Sequence, residues 1–131
     1  MRYILDANAV IALLKDSDSK ISRRVRKVPP ADVVVSSIVA HELFFGAYKS
    51  KRVKHNLDIF DALLFQVVEF DKEDAREAGE IRAFLSNAGT PIGPYDVLLA
   101  GQAKARGLTV ITHNVKEFGR VPGLKVENWQ D

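Results

Sequence analysis

The sequence predicts an α/β domain in which helices cover both faces of a mostly parallel sheet. Three observations carry that expectation. Short apolar runs, Tyr3-Ile4-Leu5, Val33-Val34-Val35 and Leu108 to Thr112, recur along the chain. Each of the first two passes through a polar turn directly into a segment with helical spacing. The runs are continuous rather than alternating, as in strands buried on both faces.

The elements follow in order. After Tyr3-Ile4-Leu5, the turn Asp6-Ala7-Asn8 leads into Val10, Ile11, Leu13 and Leu14, which recur with helical period. A second, basic helix is expected from Ile21 to Val28, ended by Pro29-Pro30. Val33-Val34-Val35 is the next strand, and Ser36-Ser37 offers an N-cap to a helix through Ile38, Val39, Leu43 and Phe44. Leu57, Phe60, Leu64 and Val68 mark a further helical stripe, giving way to a strand near Val67 to Phe70. Asp71 and Asp74 stand three apart at the start of a long amphipathic helix, a capping arrangement. The segment from Asn87 to Pro94 reads as a loop, and Pro94 suits the first turn of a helix that Gly107 closes. Leu108 to Thr112 is the last expected strand, and Trp129 is expected to anchor the final segment.

A chain of 131 residues fits a single domain, 1–131, large enough to bury a core without disulfides or a structural metal. The absence of cysteine removes thiolate zinc sites, iron–sulfur clusters and cysteine nucleophiles, and suits a reducing compartment, most simply the cytoplasm. The N-terminal apolar stretch is interrupted by Asp6 and Asn8, so neither a membrane span nor a signal peptide is expected. Net charge is only +2, yet residues 20–55 carry nine bases against two acids, while residues 56–80 carry eight acids against two bases. Such a division either attracts a polyanion to one side or leaves two solvated faces of opposite sign.

Three acids occupy positions that packing alone would not give them. Asp6 follows the first strand, Asp96 falls in the first turn of the helix opened by Pro94, and Glu42 lies within the least polar helix. In an open parallel sheet, residues just past the strands face a crevice where ligands bind, and Asn114, after the strand Leu108 to Thr112, reaches the same edge. Singly, Asp6, Asp96 and Asn114 read as well as helix caps, dipole partners or turn formers. Glu42 has no lysine or arginine three or four residues away, and an unpaired carboxylate on an apolar face is costly. Together the four residues define a site. Clustered carboxylates stay ionised near neutrality only around a cation, and oxygen-only ligands select a hard ion, Mg²⁺ or Mn²⁺. His41, His55 and His113 do not stand in ligand spacing. Chemistry on a phosphodiester is the leading inference. No nucleophile elbow, P-loop or dinucleotide fingerprint competes with it.

Leu5-Asp6-Ala7-Asn8, Ser36-Ser37, His41-Glu42-Leu43 with Gly46-Ala47, Pro91-Ile92-Gly93-Pro94-Tyr95-Asp96, and Thr112-His113-Asn114 with Glu117-Phe118 form an ordered set over nearly the whole chain. The chain resembles the PIN-domain ribonucleases of the VapC toxin type. That resemblance implies a three-layer α/β/α sandwich and metal-dependent endonucleolytic cleavage of RNA, with tRNA a common target of such toxins. It also implies a homodimer and a small VapB-like antitoxin that covers the active site. Carried over, Asp6, Glu42 and Asp96 match the family's metal-holding acidic triad, with Asp6 and Asp96 as the direct ligands, and Asn8 matches the polar residue that supports the first aspartate. Ala7 replaces a common threonine or serine, and Asn114 stands at the fourth acidic position. Glu117 reads either as a contributor through water or as a surface helix residue. Three alternatives stay open: a free-standing RNA-processing nuclease, a Mg²⁺-dependent phosphatase of the haloacid-dehalogenase type, whose second acid is replaced here by Asn8, and a regulatory binding module without turnover.

Overall fold

A computed structural model describes all 131 residues. Five parallel strands form one sheet in the order β3-β2-β1-β4-β5. The central strand, β1 (Tyr3–Leu5), pairs on one side with β2 (Val33–Ser36) and on the other with β4 (Thr109–Ile111), so that Leu5 stands level with Val35 and Ile111. All three are buried along their length, which is why their sequences are apolar without alternation. Right-handed crossovers place α1 (Ala7–Lys15), α2 (Lys20–Arg26), α3 (Ser37–Lys49) and α4 (Val53–Asp61) on one face. They place α5 (Lys72–Asn87), α6 (Pro94–Arg106) and the short α7 (Val115–Phe118) on the other, completing the expected α/β/α sandwich.

The caps follow the sequence. Asp6 is the N-cap of α1, accepting the Ala9 N–H at 2.8 Å. Ser36 caps α3, and Asp71 with Asp74 forms a reciprocal capping box at the head of α5. Gly107 ends α6 in the left-handed region at φ 67°, where a side chain would be strained. Helices α5 and α6 approach so closely that a Cβ on Gly101 would stand 2.5 Å from the Ala78 backbone. The same pair is clamped by Arg106, which donates to Asp74 at 2.9 Å and to the Glu69 carbonyl at 2.6 Å. Burial alone would raise the Asp74 carboxyl, but the Arg106 guanidinium and the capping bonds hold it below its ordinary value.

Three expectations need correction. The helical stripe Leu57, Phe60, Leu64 and Val68 breaks after Phe60: α4 stops at Asp61, Leu64 is 93% exposed, and Val68 belongs to the strand β3. The third strand, β3, spans Gln66–Val68 rather than 67–70, because its last backbone positions turn away and the Phe70 N–H bonds the Ser37 hydroxyl instead. The basic helix ends at Arg26. Two elements were not expected, α7 and the two-residue strand β5 (Val126–Glu127), which pairs with the open side of β4. Trp129 is buried, its ring 4.8 Å from Tyr3 in an edge-on contact, and its indole N–H donates to Glu127 at 3.0 Å.

Candidate active site

The strand order changes direction at β1, since β2 and β3 lie to one side and β4 and β5 to the other. The carboxyl ends of β1 and β4 therefore frame the crevice where such sheets bind ligands. Asp6 leaves β1 at this point, its N–H bonded to the Ile111 carbonyl at 3.1 Å. It is 7% exposed, and both carboxylate oxygens are engaged, Oδ1 by the Ala9 N–H and Oδ2 by the Thr112 hydroxyl. Burial pushes the Asp6 carboxyl up, while the Thr112 and Ala9 bonds and the nearby His113 pull it down. Asn8 is exposed and makes no hydrogen bond to Asp6, so the support expected from it comes from Thr112. The hydroxyl missing at Ala7 is thus supplied by Thr112, the residue directly after β4.

Glu42 lies one turn into α3, half-buried. Its helix is apolar nearly all round, with Val39 and Leu43 in the core but Phe45 and Tyr48 exposed. Burial raises the Glu42 carboxyl, His41 opposes this, and the Asp6 charge adds to it. Asp96 stands in the first turn of α6, after Gly93 as N-cap and Pro94 as first helical residue. A Cβ on Gly93 would meet Asp96 Oδ2 at 3.2 Å, so glycine leaves room for the carboxylate to lie against the backbone.

The structure adds Glu117 to this set. On α7, it accepts the Gly93 N–H at 2.8 Å through Oε1 and the Asn114 side-chain amide through Oε2. Asn114 in turn donates its backbone N–H to the Thr112 hydroxyl at 2.9 Å. A chain of contacts thus runs from Asp6 through Thr112 and Asn114 to Glu117 and the loop before Asp96. Asn114 therefore holds Glu117 in place. The Asp96 carboxyl is pushed up to about 7 by its burial, by the charge and hydrogen bond of Glu117, and by the charges of Asp6 and Glu42. Glu117 moves the other way, held down by the Gly93 N–H, against its own burial, and by Asn114 and Asp96. Of the two, Asp96 therefore keeps its proton to the higher pH.

All four predicted residues, Asp6, Glu42, Asp96 and Asn114, stand at one edge of the sheet. The signal that could have found Glu117 is the Asn-x-x-Glu spacing from Asn114, which matches a helix start. No three carboxylate or imidazole groups are already drawn into a cation cage. The donor set fits one nonetheless: four carboxylates, at least two of them raised by their neighbours' charge, are relieved by a hard divalent ion and by little else.

A family profile described as PIN domain matches residues 3–124. The tRNA(fMet)-specific endonuclease VapC of Salmonella typhimurium is 37% identical over 131 residues, covering 98% of both chains. Ribonuclease VapC2 of Rickettsia felis is 38% identical over 133 residues, again covering 98% of both. Among solved structures, the toxin chain fold in DNA-bound VapBC from Salmonella typhimurium superposes with a TM-score of 0.93, at 37% identity over 98% of both chains. VapBC-1 from nontypeable Haemophilus influenzae superposes at 0.89, with 31% identity over the full length of both. The chain belongs to the PIN-domain family, in its VapC group.

Proposed function

We propose that this protein is a metal-dependent endoribonuclease, the toxin half of a VapBC-type toxin–antitoxin pair, acting on RNA with tRNA as the first substrate class to test. The observation that carries this reading is the edge cluster of Asp6, Glu42, Asp96 and Glu117, in which burial and the charges of the other three push the Asp96 carboxyl up to about 7. The relatives named as endonucleases of tRNA(fMet) and as ribonucleases support RNA as substrate. VapBC complexes of similar fold support an antitoxin partner. The exposed Phe45 and Tyr48 on α3, beside an apolar groove of about 130 Å³ lined by Leu43, Phe44 and Phe60, offer such a partner a surface. A homodimer is part of the same reading.

Asp6, Asp96 and Glu42 would hold Mg²⁺ or Mn²⁺. Such an ion supplies charge neutralisation at the scissile phosphate and lowers the pKa of a coordinated water. The protein's own groups do the rest. Thr112 fixes the rotamer of Asp6 by donating to Oδ2, leaving the carboxylate no freedom to turn from the cleft. Glu42, its proton affinity raised by burial, orients the attacking water and takes its proton. The water oxygen bonds to phosphorus as the bond to O3′ breaks, O3′ takes up a proton, and the products carry a 5′-phosphate and a 3′-hydroxyl. The Glu117 charge favours the protonated form of Asp96, and Asn114 keeps Glu117 in place by donating to its carboxylate. Asn114 contributes a neutral amide, engaged with Glu117, where an acid would strengthen a second ion site.

The test is incubation of the purified, antitoxin-free chain with total bacterial RNA and with tRNA, with and without Mg²⁺ or Mn²⁺, alongside Asp96→Asn. Discrete metal-dependent fragments, absent with the variant, are expected. Intact RNA from a folded, metal-loaded protein would return weight to a phosphatase or a binding module.

A further inference from the structure

The basic helix α2 supplies no residue to the carboxylate cluster. Its buried face is set by Ile21 and Ser22, 1% and 3% exposed, with the Ser22 hydroxyl donating to the Leu13 and Asp16 carbonyls. That anchoring fixes which residues point outward. Lys20, Arg23 and Lys27, at helical spacings of three and four, form a stripe on the exposed side. None of the three has a carboxylate partner or a hydrogen bond from its side chain. Arg24, between them, is committed: it stacks over Trp129 at 5.0 Å and reaches Glu127 at 3.6 Å. Through Arg24 the C-terminal segment is pinned against α2, and between the two runs a groove of about 270 Å³, floored in part by Trp129 and Asn128.

The groove is close to the cleavage site. Asp131 also lines it and lies 3.8 Å from His113, the sequence neighbour of Thr112, whose hydroxyl bonds the Asp6 carboxylate. Unpaired cations facing a groove repel one another and are stabilised by an anion of matching periodicity. A row of phosphates supplies that, and the groove's amide and indole groups tolerate the sugars and bases between.

We propose that the groove between α2 and the C-terminal segment binds the backbone of the RNA strand next to the cleaved bond, through Lys20, Arg23 and Lys27. This rests on the nuclease reading and extends it to how the substrate is held. The stripe is a positioning surface and takes no part in the chemistry. Trp129 is the only tryptophan of the chain, so its fluorescence reports occupation of the groove directly.

The test compares Lys20→Ala/Arg23→Ala/Lys27→Ala with a charge-matched control on α5, Lys72→Ala/Arg76→Ala/Arg82→Ala, both in the Asp6→Asn background and both checked for unchanged melting. The probe is a fluorescein-labelled single-stranded RNA of about 20 nucleotides, titrated at several salt concentrations. Three lost phosphate contacts at about 0.7 each should lower the slope of log K against log salt by about 2 and so weaken binding up to about a hundredfold near 0.1 M salt. The RNA-induced change in Trp129 fluorescence should disappear with the α2 variant and persist with the control. Unchanged affinity and slope in the α2 variant would overturn the proposal, and so would an equal loss in the control. Cleavage by the wild-type chain is measured in parallel. Its failure would count against the nuclease reading while the binding comparison still reads the groove.

Discussion

Replacing Asp96 by asparagine should stabilise the metal-free protein, and only above the ordinary carboxylate range. In the unfolded chain this carboxyl titrates at 3.8, and in the fold at about 7. Below both values it is protonated in either state and contributes nothing. As pH rises from 3.8 towards 7 the unfolded state gives up its proton first, so the folded state is progressively disfavoured, and above 7 the full penalty applies. A shift of about three units corresponds to a ceiling of about 4 kcal/mol. Solvent on the open side of the cleft screens part of this, leaving about 1–2 kcal/mol. Asp96→Asn removes that penalty, and its amide can donate to Glu117 as the proton did. Urea or thermal unfolding in EDTA at pH 5.5, 7 and 8.5 should show the variant more stable by a margin that grows with pH, reaching roughly 3–8 °C in Tm at pH 8.5. Saturating Mg²⁺ should reverse the order, because it stabilises the wild type more. A variant less stable than wild type at pH 8.5 without metal, or a difference independent of pH, would refute the reasoning.

Three further outcomes follow from the same geometry. Thr112→Val keeps the shape but removes the hydroxyl that serves Asp6 and Asn114, so urea unfolding should show a loss of about 1–3 kcal/mol. RNA cleavage by this variant should fall by roughly 10- to 100-fold. Burial raises Asp96 most and the Glu117 charge adds to it; Glu117→Gln removes that charge, so the pH at which Mn²⁺ binding reaches half its plateau should move to lower pH in a calorimetric titration. Gly101→Ala drives a methyl into the Ala78 backbone and should cost about 1–3 kcal/mol in urea unfolding without changing the pH dependence of the site.

Much of the fold was legible because the central strands are buried on both faces and their sequences are correspondingly continuous. Tyr3-Ile4-Leu5 and Val33-Val34-Val35 could hardly be read otherwise. The edges were harder. β3 is largely exposed, with Val67 53% accessible, and β5 is two residues long, so neither carries a burial pattern of its own. Leu64 misled because periodicity cannot see that α4 ends before it. In the site, Asp6, Glu42 and Asp96 were legible from their places just past strands or early in helices. Glu117 was ambiguous, since its role depends on a four-residue helix bringing it against Gly93 from 24 positions away. Asn8 was assigned the support that Thr112 provides, because a contact between residues 106 apart leaves no local trace.

The central claim is that these carboxylates are poised for a divalent cation that displaces a proton from Asp96. Calorimetric titration of Mg²⁺ or Mn²⁺ into the wild-type chain at pH 6.5, in two buffers of different ionisation enthalpy, measures that displacement directly. With Asp96 titrating at about 7, one ion should bind and release roughly three-quarters of a proton, while Asp96→Asn should release almost none. Binding without proton release, or no binding by the folded wild-type protein, would contradict the account.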